Sequence, residues 1–313
     1  MSKEKKINIG FFGTSSFAFK AIKKIFDNGI NIKFVVTQNP KPSGRGKRIS
    51  DSPVGLFSKK NNLSLYTPEK LDDYIFLSHL SRFEIDFIVV VAYGKILNST
   101  ILNIPKFFCL NIHGSILPKW RGAAPIQRAI LNGDKKTGVS IMVVKEKLDS
   151  GPVITKEEIN IQTNDNSETI HERLGKIGSE LILEALINIY NNNFTFEEQR
   201  ESEATYAEKV LKSETKIDWS ESAETIDRKI RAFHPWPGAW TYLHTNKKKI
   251  RIKIIEAKIV INLNKNFKSN GDNLIVKCKD NFLKIKKLQP EGKKIKNDID
   301  CSNGLYNQNF FFE

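Results

Sequence analysis

A doubly wound α/β domain followed by a small, basic β-barrel is the fold this chain predicts. Three observations carry that expectation. Apolar strand-like runs alternate with helical patterns through the first 190 residues, as in a mostly parallel sheet covered by helices. One of those runs, 85–93, is apolar almost throughout, as in a strand buried on both faces. From about Val210 the pattern changes to several short strand candidates separated by Asn, Gly and Asp, as in a β-barrel.

INIGFF (7–12) is the first predicted strand, followed by a helix from about Phe17 to Asp27. IKFVVT (32–37) is the second. After a loop, an amphipathic stretch runs from Pro53 to Asn61, then come LSLY (63–66) and IDFIVVVAY (85–93). FFCLNIH (107–113) leads to a helix from about Ala123 to Leu131. VSIMVV (139–144) and PVITKEEI (152–159) are the next strands, and a helix from roughly Ser167 to Tyr190 closes the unit. Residues 191–208, NNNFTFEEQRESEATYAE, are mostly polar and read as a linker. A helix at 224–232 then precedes AWTYLH, KIRIKIIEAKIV, NLIVKC and NFLKIKKL. The expected organisation is therefore a Rossmann-like catalytic domain at 1–190, a linker at 191–208, and an OB-like basic barrel at 209–313.

The chain has 313 residues, enough for two domains that each bury a core. Hydrophobic residues make up 40% and charged residues 27%, the balance of a soluble globular protein. No run approaches the roughly 20 apolar residues of a membrane helix, and no membrane partner is expected. The N-terminus, MSKEKKINIGFFG, begins with charges, and its apolar stretch breaks at Gly13-Thr14-Ser15-Ser16, so it is expected to be a strand rather than a signal peptide. Cys109, Cys278 and Cys301 are odd in number and widely spaced, which argues against a disulfide framework or a zinc site. A reducing cytoplasm and no metal are the expectations.

The net charge of +15 has two readings. Clustered Lys and Arg attract a polyanion; an AT-rich genome would also raise Lys over Arg. Placement bears on the choice. From Thr205 onward there are about 22 basic and 13 acidic side chains. Alternation in KIRIK and KIKK would put the cations on one face and Ile on the other. That suits an RNA backbone, and it also suits a solvated barrel exterior.

The chemistry is expected at LNIHGSILPKWRGAAP (110–125), which begins at the C-terminal end of a buried strand, where open α/β sheets place ligands. Asn111 and His113 share a side of that strand. An amide and an imidazole offer a neutral and a titratable donor, a pair suited to the oxyanion formed when a nucleophile attacks a carbonyl. Asp149 sits in LDSGP (148–152), a Gly-Pro turn between two strands. A carboxylate beside His113 would orient the ring and favour its charged form, or position a water that relays a proton. Spacing alone does not bring them together. Asn-x-His is a weak motif by itself, and Asp before Ser-Gly-Pro is a common turn residue. Gly10-x-x-Gly13 lacks the full dinucleotide fingerprint, and the second strand ends in Thr37-Gln38-Asn39 without an acidic ribose ligand, which argues against NAD.

NIHGSILPKWRGAAPIQRAI resembles the signature of the methionyl-tRNA formyltransferases, within the wider group of 10-formyltetrahydrofolate enzymes. PSGRGKRISDSPV, VVVAYGKIL, LDSGPV, TYAEKV, IDWS, RAFHPWPGAW and LQPEGKK extend the likeness in order along nearly the whole chain. The resemblance implies Asn111, His113 and Asp149 as catalytic residues. It implies that Ser115, Ile116, Leu117 and Pro118 line the tetrahydrofolate site; Ile116 stands where the family usually has Leu, a volume-conserving swap. It implies 10-formyltetrahydrofolate as donor and the methionine on initiator tRNA as acceptor. Loop 38–49, QNPKPSGRGKRI, has two Pro and two Gly that are expected to exclude regular structure, and in the family such a loop contacts tRNA. Arg45, Lys47 and Arg48 are its candidate contacts. A monomer is expected. Two alternatives stay open at this level: a formyl-folate enzyme acting on a small molecule, and a non-catalytic RNA-binding protein.

Overall fold

The computed structural model describes residues 6–43, 48–246, 248–261, 274–298, 300 and 310–313. Its elements are β1 (Asn8–Gly13), α1 (Ser16–Asp27), β2 (Asn31–Val36), β3 (Lys41–Ser43), β4 (Arg48–Ser50), α2 (Pro53–Lys60), β5 (Leu65–Tyr66), α3 (Tyr74–Leu80), β6 (Phe87–Val91), α4 (Ser99–Leu102), β7 (Phe108–His113), β8 (Arg121–Gly122), α5 (Pro125–Asn132), β9 (Lys136–Val143), β10 (Val153–Asn160), α6 (Ser167–Tyr190), β11 (Tyr206–Ala207), α7 (Ala223–Ala232), β12 (Trp240–Thr245), β13 (Lys249–Val260), β14 (Ile275–Lys277), β15 (Phe282–Pro290), β16 (Lys296–Asn297) and β17 (Phe310–Phe312). They form two compact units. One holds the described residues of Met1–Pro125, Lys136–Asn160 and His171–Ala207; the other holds those of Ile126–Lys135, Ile161–Ile170 and Glu208–Glu313. Among the described residues no helix is long and apolar enough to cross a membrane.

The first unit is built on a seven-stranded sheet in the order β10-β9-β7-β6-β1-β2-β5. β1 pairs parallel with β2 and β6, β2 with β5, and β6 with β7, whereas β9 runs antiparallel to β7 and β10. This is the doubly wound arrangement the strand–helix alternation predicts. Phe11, Phe12, Phe34, Ile88 and Val89 are fully buried, and each such side chain contributes about 1.5–3 kcal/mol relative to an exposed one. Four of the five β6 residues are buried, which is why that run shows no polar alternation. The helix start at α1 is set by Ser15, whose hydroxyl accepts from the Ala18 N–H. Its apolar spacing buries Phe17, Ala18, Ala21, Ile22 and Ile25 against the sheet side.

Helix α6 decides which face of β7 is free. A Cβ on Gly178 would lie 2.6 Å from Ile112 Cγ2 and 3.1 Å from Val139 Cγ2, so only glycine lets the helix settle onto Ile112. Side chains alternate along a strand. With Ile112 committed to the helix face, Asn111 and His113 face the other way.

The expectation that loop 38–49 lacks regular structure is corrected. β3 and β4 form a short antiparallel ribbon with Lys41 opposite Ser50 and Ser43 opposite Arg48. Pro42 is compatible with this because the ribbon is an isolated pair, and an edge strand leaves N–H groups unpaired. Helices α3 and α4, the β8–β11 pair and the short strand β17 have no counterpart in the predicted elements.

In the second unit, β12–β17 build a six-stranded antiparallel sheet ordered β14-β15-β13-β12-β17, with β16 on β15. Register breaks at Ile254/Glu256 and Glu256/Ala257 bend the twelve-residue β13. Its first five residues pair with β12 and Ile252–Val260 pair with β15, so the bent strand curls the sheet as a barrel requires. The predicted alternation is present: Ile252 and Ile254 are buried, while Lys249 and Arg251 are exposed.

Candidate active site

Strand β7 ends with Asn111 half-buried and His113 only 5% exposed. No protein hydrogen bond engages the Asn111 carboxamide among the described residues. His113 Nε2 lies 2.8 Å from the Trp120 carbonyl oxygen. A carbonyl only accepts, so Nε2 carries a proton and Nδ1 is the ring nitrogen left without that partner. Nδ1 faces Asp149, with Oδ2 at 3.6 Å. That is too long for a direct hydrogen bond and short enough for one bridging donor or acceptor. Among the described residues the carboxylate is held through one oxygen: Oδ2 accepts from the Gly122 N–H at 2.8 Å. Asp149 itself holds a left-handed backbone, φ 45°, a conformation that most non-glycine residues avoid.

Three consecutive residues thus organise both partners. Trp120 supplies the carbonyl that sets the His113 tautomer, and Gly122 supplies the N–H that holds Asp149. Both have positive φ, 62° and 120°. The segment is clamped by the stretch 205–207: Trp120 N donates to Thr205 Oγ1, Arg121 N to Thr205 O, and Ala123 N to Ala207 O, each at 2.9 Å. Between them Arg121 is wholly buried. Its Nε donates to Gln199 Oε1 at 3.0 Å and its Nη1 to Glu201 Oε2 at 2.9 Å. Lys147 and then Arg121, both hydrogen-bonded to the Glu201 carboxylate, hold its pKa down to about 2.

The segment 115–118 is a tight shelf beside the strand end. Ser140 Oγ donates to Ser115 O at 2.8 Å and accepts from Leu117 N at 3.2 Å. Ser115 is buried and donates to Lys119 O at 2.5 Å. Leu117 is buried in a small cluster with Met142 and Val153. Ile116 and Pro118 are half-buried, and Ile116 packs over Gly138, where a Cβ would meet its Cδ1. The shelf therefore offers Ile116 and Pro118 side chains, while Ser115 and Leu117 fix its shape.

The sequence compares closely with known proteins. A family described as formyl transferase matches residues 5–186, and its C-terminal domain matches 209–305. The methionyl-tRNA formyltransferase of Thermodesulfovibrio yellowstonii is 41% identical over 286 residues, covering 91% of this chain and 92% of that protein. The chain belongs to the methionyl-tRNA formyltransferase family. The Nitrosomonas europaea member is 39% identical over 92% of this chain and 90% of its own length. In fold, an N-formyltransferase from Helicobacter canadensis, solved with folinic acid and dTDP-3-aminofucose, matches with a TM-score of 0.67 at 19% identity, covering 89% of this chain and 98% of that one.

Of the predicted site residues, Asn111, His113 and the 115–118 shelf share one chain segment, and the fold brings Asp149 to His113 across 36 residues of sequence. Arg45 and Lys47 lie outside the described residues; Arg48 opens β4. The second unit carries a cationic surface of its own. Arg251 lies 4.0 Å from the Trp240 ring centroid and Lys249 4.1 Å from that of Tyr242. The pattern reading did not single out Gly122, Thr205, Gln199 or Glu201. The last three fall in the polar stretch 191–208, where no periodicity marks them; Thr205 opens the TYAEKV motif, which does not say what its side chain holds. Arg121 carries a signal of its own: an arginine between Trp120 and Gly122-Ala123-Ala124, in a segment that packs at a strand end, has to find a partner.

Proposed function

We propose that the chain transfers the formyl group of 10-formyltetrahydrofolate to the α-amine of methionine on initiator tRNA, with Asn111, His113 and Asp149 carrying the chemistry. The observation behind this reading is the facing pair of His113 Nδ1 and Asp149 Oδ2, 3.6 Å apart at the end of β7. The folate supplies a formyl carbon activated as an N10 amide. The amine, with a pKa near or below the α-amino value of about 7.7–8, supplies free base at neutral pH for the attack. Its nitrogen forms the new C–N bond, the bond from formyl carbon to N10 breaks, and one proton passes from the amine to N10.

Each residue has a task that its surroundings suit. The unengaged Asn111 carboxamide can donate to the formyl oxygen as it becomes an oxyanion. His113, with Nε2–H committed to Trp120 O, has Nδ1 available to donate or accept. Asp149 keeps Oδ2 on Gly122 and can take the amine proton directly or through water, handing it on by way of His113. Ile116 and Pro118 offer apolar contact for the pterin, on a shelf shaped by Ser115 and Leu117. Arg45, Lys47 and Arg48, with the cations and aromatic rings of β12–β13, suit an RNA backbone and stacked bases.

The test is incubation with 10-formyltetrahydrofolate and charged initiator tRNA, scored for formylmethionine across a salt series. Formylation with affinity falling steeply as salt rises supports the reading. Formylation of a sugar nucleotide and not of the tRNA would overturn it.

A further inference from the structure

We infer that Gln199 is a positioning residue for this reaction, holding the Asp149 turn at the distance His113 requires; this rests on the functional reading above. Its carboxamide reaches across the turn that carries Asp149. Nε2 donates both to Asp149 O at 2.9 Å and to Gly151 O at 2.6 Å, so its two N–H groups are both used. At the other end Oε1 accepts from Arg121 Nε at 3.0 Å. One planar group therefore ties the turn bearing the carboxylate to the segment whose flanking residues hold the carboxylate and the imidazole.

The surroundings leave little freedom. Val153 and Glu197 exchange both backbone hydrogen bonds at 2.9 Å, which fixes the start of the Gln199 segment against β10. Arg121 is fully buried and cannot turn to solvent for another acceptor. Asp149 stands in a left-handed conformation that needs holding from outside. A donor pair on one side and an acceptor on the other is the chemistry of an amide and of no charged side chain. Gln199 touches neither reacting atom and acts through Asp149.

Gln199→Glu separates this role from simple packing. Glutamate keeps the volume and the acceptor for Arg121 but turns the two donors into an oxygen facing two carbonyls. Gln199→Ala removes all three bonds. The expected result for Gln199→Glu is a kcat about 10- to 100-fold lower, the scale of an ångström-level misplacement, with KM for charged tRNA within twofold and a single cooperative melt well above the assay temperature. Gln199→Ala is expected to lose at least as much. Hydrogen exchange at the Gly122 amide, which reports its bond to Asp149 whatever the enzyme does, is expected to accelerate in Gln199→Glu. A Gln199→Glu enzyme with kcat within twofold of wild type, or with unchanged exchange over residues 120–124, overturns the inference. A wild-type chain that formylates no tRNA overturns the functional reading instead, and the exchange comparison still decides whether Gln199 holds the turn.

Discussion

Replacing Gly122 with alanine tests the geometry of the site at its narrowest point. Gly122 has φ 120°, and a Cβ there would lie 2.8 Å from the Ala207 carbonyl oxygen. That oxygen cannot retreat freely, because it already accepts from Ala123 N at 2.9 Å and Ala124 N at 3.2 Å. The forbidden backbone conformation costs about 1–3 kcal/mol. Shifting the Gly122 N–H off Asp149 forfeits a hydrogen bond to a charged group, about 1.5–3 kcal/mol. At roughly 2–4 °C per kcal/mol for a unit of this size, the thermal midpoint should fall on the order of 10 °C. Asp149 is freed at the same moment, so single-turnover formylation at saturating donor should slow about 10²-fold. Gly29→Ala is the control. It also has positive φ, 73°, but its Cβ would meet nothing within 4 Å. It should lose some stability and no turnover. A Gly122→Ala enzyme that matches wild type in melting and rate would refute the role assigned to the segment 120–122. Equal rate losses in both variants would show that general destabilisation, not the site, is being measured.

Other expectations are more direct. Asn111→Ala and His113→Ala should each lose at least roughly 10²–10³ in kcat, the usual consequence of removing an oxyanion donor, without unfolding. Glu201 has its pKa lowered to about 2 by Lys147 and Arg121. A folded-state pKa below the unfolded one means its contribution is fully present above about 4.5 and lost as pH falls towards 2. Wild type and Glu201→Gln should therefore differ most in melting temperature near neutrality and converge in strong acid. Burial pushes the thiols of Cys109 and Cys278 up to about 12, so neither should be alkylated at pH 8 in the native protein and both should react on unfolding, read site by site by mass spectrometry. Removing the charges of Arg45, Lys47 and Arg48 together should weaken tRNA binding and flatten its salt dependence by about one unit of slope per lost phosphate contact.

Much of this was legible in the chain itself, because the signals were local. The buried strand β6 announces itself by an unbroken apolar run, α6 by its length and period, and the Asn111–His113 pair by strand alternation alone. The β3–β4 ribbon was not legible: Pro and Gly weaken regular structure on average, and only pairing with a partner strand decides the individual case. The contacts of Gln199, Glu201 and Thr205 were invisible for a related reason. Polar residues without periodicity look alike whether they face water or hold an active-site turn.

The sequence by itself determined the main strand–helix alternation, the family likeness carried by motifs along the chain, and that Asn111 and His113 share one side of β7; each follows from residues read within their own segments. The tertiary structure alone decided that His113 exposes Nδ1 rather than Nε2, that Asp149 is gripped by one oxygen, and that a buried arginine and a glutamine hold its turn. Those are matters of ångströms between segments distant along the chain. Hydrogen bonds depend on distance and angle, and no pattern of residue types encodes either until the backbone has closed around them.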